Sequence, residues 1–168
     1  MTAGRRVNTS SQNWCTPPKF IKPIKEFFGG KIALDPCSNP MSVVGAEVEL
    51  YSGGLEYCWE SAESIFVNPP YGRGESSTIY DWLKKCNDVN TEVIALIPVA
   101  TNTKHWKEFV FNANVICFLS DTRLKFLING STENKGASMS CCLAYWGKFE
   151  QKFVVKFSEF GKCVKSTI

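Results

Sequence analysis

The apolar positions of this chain fall into two rhythms. Ile65-Phe66-Val67, Glu92 to Ile97 and Val115 to Leu119 are short runs of β-type residues with the composition of buried strands. Between and before them, apolar residues recur at three- and four-residue spacing. Phe20, Ile21, Ile24, Phe27 and Phe28 form one such set, ended by Gly29-Gly30. Ile79, Trp82, Leu83 and Cys86 follow Thr78, and Trp106, Phe109 and Val110 follow Thr103. Each set lays one apolar stripe along a helix. Thr78 with Asp81 supplies a start signal for the second helix, and Thr103 caps the third. Thr16 before Pro17 resembles an N-cap with proline in the first turn, while Pro23 removes a bond inside that helix. Lys31 to Leu34 and Glu47 to Tyr51 are short strand candidates.

The alternation of strand and helix predicts an α/β fold built on a mostly parallel sheet with right-handed crossovers. The last third changes character. Leu124 to Ile128 and Met139 to Trp146 read as strands joined by the polar connection 129–138, too short for a helical crossover. They predict an antiparallel hairpin on the C-terminal edge of the sheet. Phe149, Phe153, Val154, Phe157 and Phe160 predict a closing helix that Gly161 stops. Residues 1–13, with Arg5, Arg6 and a Thr9-Ser10-Ser11 run, read as a mobile arm, and residues 14–168 as a single domain.

Composition narrows the function classes without choosing among them. With 168 residues, 44% hydrophobic and 21% charged, the chain has ordinary globular composition. No apolar run approaches the roughly 20 residues of a membrane span, and the polar start lacks the apolar core of a signal peptide. The expected compartment is the cytoplasm, with no membrane partner. The eight cysteines contain no C-x-x-C pair and have only His105 beside them, so they read as reduced core residues and no metal is expected. A formal charge of +3 permits a nucleic-acid partner but does not require one.

Two strand ends carry chemistry. The run ending at Val67 passes into Asn68-Pro69-Pro70-Tyr71, where the prolines end ladder pairing. Ligands of α/β sheets bind at the carboxyl ends of strands, so Asn68 and Tyr71 are expected to face a crevice. The Asn68 side-chain carbonyl and the Pro69 backbone carbonyl both accept hydrogen bonds and suit a ligand NH₂ group. Tyr71 offers a flat ring for a planar group, worth roughly 1–3 kcal/mol for a nucleobase. A conjugated amine is a poor nucleophile, and two acceptors on its hydrogens favour the pyramidal form needed for attack. The electrophile then has to come from a bound cofactor. The second strand end, Asp35-Pro36-Cys37-Ser38, places an acid in a turn that either binds an amine or hydroxyls or closes a loop as an Asx-turn.

These motifs resemble a known family. Trp14-x-Thr16-Pro17, Leu34-Asp35-Pro36-Cys37-Ser38, Gly54-Leu55 with Trp59, Phe66-Val67-Asn68-Pro69-Pro70-Tyr71 and Pro98-x-x-Thr101-x-Thr103 with Trp106 are similar to the phage-type Dam-like DNA N6-adenine methyltransferases, in register from about Trp14 to Gly147. The resemblance implies a Rossmann-like fold dependent on S-adenosyl-L-methionine (AdoMet), with DNA as partner, a monomer by default, and for a phage-derived chain the cytoplasm of the bacterial host. It implies that Asn68 and the Pro69 carbonyl hold adenine N6, that Tyr71 stacks the flipped base, and that Pro70 completes the motif. Asp35, Pro36, Cys37 and Ser38 would bind the amino acid portion of AdoMet, lined from the other side by Trp14, Thr16 and Pro17. The glycine-rich loop common in AdoMet enzymes is absent after Asp35. Glu49 is the candidate acid for the ribose hydroxyls, with a solvated strand residue as the plain alternative. Arg73, Lys104, Arg123, Lys125 and Lys135 are candidate DNA contacts, each of which also reads as a solvated charge. The four-residue motif leaves other planar amines open: an RNA base, cytosine N4 or a protein glutamine. A catalytically degenerate DNA-binding module is the alternative to an enzyme.

Overall fold

The computed structural model describes residues 14–71, 78–120, 124–128 and 139–166. A two-residue strand, β1 (Trp14–Cys15), leads into helix α1 (Pro18–Phe27). Its buried stripe is Phe20, Ile21, Ile24 and Phe27, and Pro23 sits inside without ending it. Gly29 and Gly30 stop it at φ 87° and 111°, values that residues with a Cβ rarely adopt. Short strands β2 (Leu34–Asp35) and β3 (Val48–Glu49) precede β4 (Ser64–Val67). Helix α2 (Ile79–Asp88) begins where Thr78 and Asp81 predict, the Asp81 carboxylate accepting from the Thr78 amide and hydroxyl, both at 2.8 Å. Strand β5 (Glu92–Pro98), helix α3 (Lys104–Glu108) and strand β6 (Val115–Leu119) follow. The chain then forms β7 (Leu127–Ile128), β8 (Cys141–Trp146), helix α4 (Glu150–Phe157) and β9 (Gly161–Lys165).

Among the described residues seven strands form one sheet in the order β3-β2-β4-β5-β8-β6-β9. The first four are parallel, and β8 runs antiparallel to both neighbours, as β9 does to β6. Alternation along each strand divides the core into two layers. Phe66, Ile94, Leu96, Leu143 and Tyr145 pack with Phe20, Ile24, Phe27, Phe153 and Phe157 of α1 and α4. Ile65, Val67, Val93, Ala95, Ile97, Cys142 and Ala144 pack with Trp82, Leu83 and Cys86 of α2 and Trp106 of α3. The fold is therefore mixed α/β, with helices on both faces of the sheet.

The C-terminal edge is antiparallel, as expected, but its pairing differs. The strands expected to form a hairpin do not pair with each other: Leu127 and Ile128 pair with Cys15 and Trp14, and Cys141 to Trp146 is inserted between β5 and β6. All six residues of β8 are buried, which is the signature of a strand covered on both faces and unfit for an edge. The edge is β9, where the sequence shows only a helix stop. Gly161 does follow α4, but it opens this strand because a Cβ there would overlap the Phe118 carbonyl across the ladder. Thr16 does not cap α1; the cap position falls to Pro17, with no side-chain bond. Thr103 occupies the cap position of α3 while its hydroxyl turns back to the Ala100 carbonyl at 2.7 Å. Val110 lies in a following 3₁₀ turn.

Phe153 stacks on Tyr145 with centroids 4.9 Å apart and meets Phe27 edge-on at 5.7 Å, joining β8 to α1 and α4. Phe153→Ala is expected to lower stability by about 3–5 kcal/mol. Urea unfolding checks this, and a loss under about 1 kcal/mol would show that the aromatic cluster does not hold α4 to the sheet.

Candidate active site

Strands β2 and β4 are hydrogen-bonded neighbours with Leu34 opposite Ile65. The chain order places β3 on one side of β2 and β4 on the other, so the connections leaving β2 and β4 diverge. Such a point in an open parallel sheet leaves a crevice at the strand ends. The Asp35 turn and the Asn68 motif occupy its two lips, and the Asn68 backbone N–H points at the Cys37 sulfur. The two sequence signals, 33 residues apart, thus stand at neighbouring strand ends.

Asp35 is buried, 3% exposed. It forms the Asx-turn that its sequence allows, Oδ1 accepting from the Cys37 amide at 3.2 Å. Burial is the main reason its pKa is pushed up to about 7, and the neighbouring Glu49 carboxylate adds to the rise. The neighbouring Ser38 hydroxyl lowers it somewhat. That hydroxyl is buried and makes no hydrogen bond among the described residues. No cationic side chain pairs with Asp35 among them either. Glu49, opposite Asp35 in register on β3, uses Oε1 to accept from the Gly45 and Ala46 amides at 3.0 and 3.3 Å.

The turn is backed by a segment that only glycine permits. A Cβ on Gly54 would overlap the Pro36 carbonyl, so the two backbones are in direct contact. The buried Trp59 indole donates to the Gly54 carbonyl at 2.8 Å, and Lys85 of α2 donates to the carbonyls of Leu55 and, at 2.6 Å, Tyr57. Lys85 carries no functional signal in the sequence, where it reads as the polar face of a helix.

On the other lip, the Asn68 Nδ2 donates to the Thr16 hydroxyl at 3.2 Å. The Tyr71 hydroxyl lies 3.0 Å from both Asn68 Oδ1 and the Leu96 carbonyl, to either of which it can donate. Burial pushes the Tyr71 phenol up, so it stays protonated. The Tyr71 ring is half-buried and meets Phe126 edge-on at 5.9 Å. Thr16 and Pro17 are both buried. The backbone of Trp14 pairs with Ile128, and the Cys15 thiol donates to the Met41 carbonyl at 3.2 Å, which ties this segment to the loop after Ser38. Pro69 is buried and Pro70 half-buried.

The basic candidates are scattered. Lys125 is exposed between buried Leu124 and Phe126, one residue from a ring that touches Tyr71. Lys104 is exposed at the start of α3, beside Glu108 at 3.8 Å and over the Tyr80 ring at 5.1 Å. Arg73, Arg123 and Lys135 lie outside the described residues.

Fold and site together define an α/β protein with a buried acid and a polar residue at the ends of neighbouring parallel strands. A family model described as DNA N-6-adenine-methyltransferase (Dam) matches residues 5–160, and the chain belongs to that family. Comparison with curated proteins returned no match, and comparison with solved structures returned none.

Asp35 has a stability consequence with a definite sign. The folded state binds its proton more tightly than the unfolded state does, with pKa values of about 7 and 3.8. Its contribution is therefore greatest below the unfolded value and is lost as pH rises from about 4 to about 7, a swing of about 4 kcal/mol at 1.36 kcal/mol per unit. Asp35→Asn is expected to remove this slope, leaving the variant more stable than the parent at pH 8. Urea unfolding at pH 5 and pH 8 measures it, and parallel pH dependence in the two proteins would rule the account out.

Proposed function

We propose that the chain transfers a methyl group from AdoMet to the exocyclic N6 of an adenine flipped out of DNA. The observation that supports this reading is the adjacency of the strands that end in the Asp35 turn and the Asn68 motif, in a chain that belongs to the DNA N6-adenine methyltransferase family. The cofactor side fits a cationic amino acid group. A buried carboxyl group with no cationic partner, and a buried Ser38 hydroxyl with no hydrogen bond, among the described residues are what an ammonium-bearing ligand would satisfy. Asp35, Pro36, Cys37 and Ser38 would hold that portion, with Trp14, Thr16 and Pro17 lining it and Glu49 at the end of the adjacent strand for the ribose. AdoMet bound there supplies an electrophilic methyl group.

The protein's own work is placement. Asn68 Oδ1 has two lone pairs, so it can keep the Tyr71 hydroxyl and still accept from the amine, while the Pro69 carbonyl takes the second hydrogen. The Tyr71 ring gives the base a surface to stack on. Extrusion of the base costs a few kcal/mol, which stacking and the two hydrogen bonds offset. Holding the amine in line with the methyl group is the main catalytic contribution, since alignment alone lowers such barriers substantially. Lys125, next to the residue that packs on Tyr71, is the described cation best sited to meet a phosphate, and Lys104 is a second; Arg73, Arg123 and Lys135 remain candidates by sequence.

Asn68→Ala is expected to reduce transfer of labelled methyl groups from AdoMet to DNA by about two orders of magnitude or more, with AdoMet affinity by calorimetry unchanged within about threefold. Undiminished transfer in that variant would overturn the role of the motif. Recovery of the label in cytosine, RNA or protein glutamine would instead reassign the acceptor.

A further inference from the structure

We propose that Thr16 is a positioning residue for the acceptor amine, acting through Asn68; this rests on the methyl-transfer reading above. An asparagine side chain is nearly symmetric in shape, and a half-turn exchanges its acceptor for two donors. An amine bearing two hydrogens needs the acceptor. The NH₂ end must then be turned away and given an acceptor of its own, because a buried donor left unpaired costs about 1–3 kcal/mol. Thr16 Oγ1 is that acceptor, 3.2 Å from Nδ2. Two further observations favour this use of the hydroxyl. Thr16 is 2% exposed, and it stands just before α1 yet contributes no cap bond to it. The hydroxyl that the helix start would ordinarily use is committed to Asn68 instead. Residue 15 meanwhile ties the same segment to the loop beyond Ser38, through the Cys15 thiol and the Met41 carbonyl. The segment therefore spans from the cofactor turn to the acceptor residue and sets the distance between them.

Thr16→Val keeps the shape and removes the acceptor, and Thr16→Ser keeps the acceptor. In the valine variant turnover should fall about tenfold, the loss expected for one hydrogen bond. Serine, which keeps the acceptor, should restore most of the turnover. The Asn68 side-chain NH₂ resonances should shift in the valine variant and return in the serine variant, a readout independent of catalysis. Unmoved resonances, or turnover that serine fails to restore, would overturn the proposal. Moved resonances in a parent protein that methylates nothing would support the positioning contact and defeat the methyl-transfer reading alone.

A second inference rests on a separate observation. We infer that Cys117 and Cys163 form an oxidisable dithiol that a peroxide converts to a disulfide. They are direct partners in the antiparallel β6/β9 ladder. The amides of Ser120 and Ser166 bond to the carbonyls of Phe160 and Asn114, which makes the even-numbered pairs of this ladder hydrogen-bonded and the 117/163 pair non-hydrogen-bonded. Cα atoms in such pairs are about 4.5 Å apart, inside the roughly 4.4–6.8 Å range of disulfides. Both thiols are free, and the buried Cys117 thiol donates to the Phe157 carbonyl at 3.4 Å. Cys163 is half-buried, and the Cys117 thiol together with Lys162 favours its thiolate. That thiolate would displace hydroxide from hydrogen peroxide to give a sulfenic acid. Cys117 sulfur would then attack the oxidised sulfur, its proton leaving with the second hydroxide as water, so that two thiols lose two electrons and peroxide gains them. Peptide mapping without reductant, after peroxide treatment of the intact protein, should recover a 117–163 crosslink that Cys163→Ser abolishes. Finding that link only after unfolding, or finding Cys163 oxidised further with Cys117 still reduced, would overturn the inference.

Discussion

The parallel pairing of β2 with β4, in register at Leu34 and Ile65, is the constraint on which the site depends. It fixes how far apart the two strands end, and so sets Asp35 and its turn against the backbone of Asn68. Because β3 continues the sheet away from β4, the chain leaving β2 and the chain leaving β4 part over this point, and the gap between them is the crevice. Burial on both faces locks the register. Ile65 and Val67 face one layer and Phe66 the other, and a slip of one residue would exchange them.

The same crevice holds the least comfortable groups of the molecule. Among the described residues a carboxyl group is buried without a cation and a serine hydroxyl without a hydrogen bond, and a backbone contact is so close that position 54 admits only glycine. Thr16 precedes a helix that it does not cap. Groups held this way are destabilising alone, and their gathering at two adjacent strand ends is what supports the ligand-site reading proposed above. The wall behind them is correspondingly firm, with Trp59, Trp82 and Lys85 fastening the loop that supports Pro36.

Much of this was readable from residue order. The apolar run before Asn68-Pro69-Pro70-Tyr71 pointed to a strand that stops there, as β4 does at Val67, because prolines end a ladder. The Thr78 and Asp81 spacing located the start of α2, the apolar runs located β4, β5 and β6, and the short candidates at 31–34 and 47–51 shrink to β2 and β3, two residues each. What failed were inferences about partners. The short polar connection between Ile128 and Met139 suggested a hairpin, although six consecutive buried-type residues at Cys141 to Trp146 called for an interior strand. The exposed, alternating Gly161 to Lys165 carries too little apolar signal to announce an edge strand. Hydrogen bonds between distant residues, such as Thr16 to Asn68 or Lys85 to Leu55, leave no local pattern at all.

The central claim is that one crevice receives both the methyl donor and the amine. A crystal structure with the demethylated cofactor product, S-adenosylhomocysteine, tests it most directly. The account predicts the ligand's ammonium against Asp35 and Ser38, with its sulfur facing Asn68 and the Pro69 carbonyl. A ligand seated elsewhere, for example in the shallow groove between α1 and Val43, would contradict it.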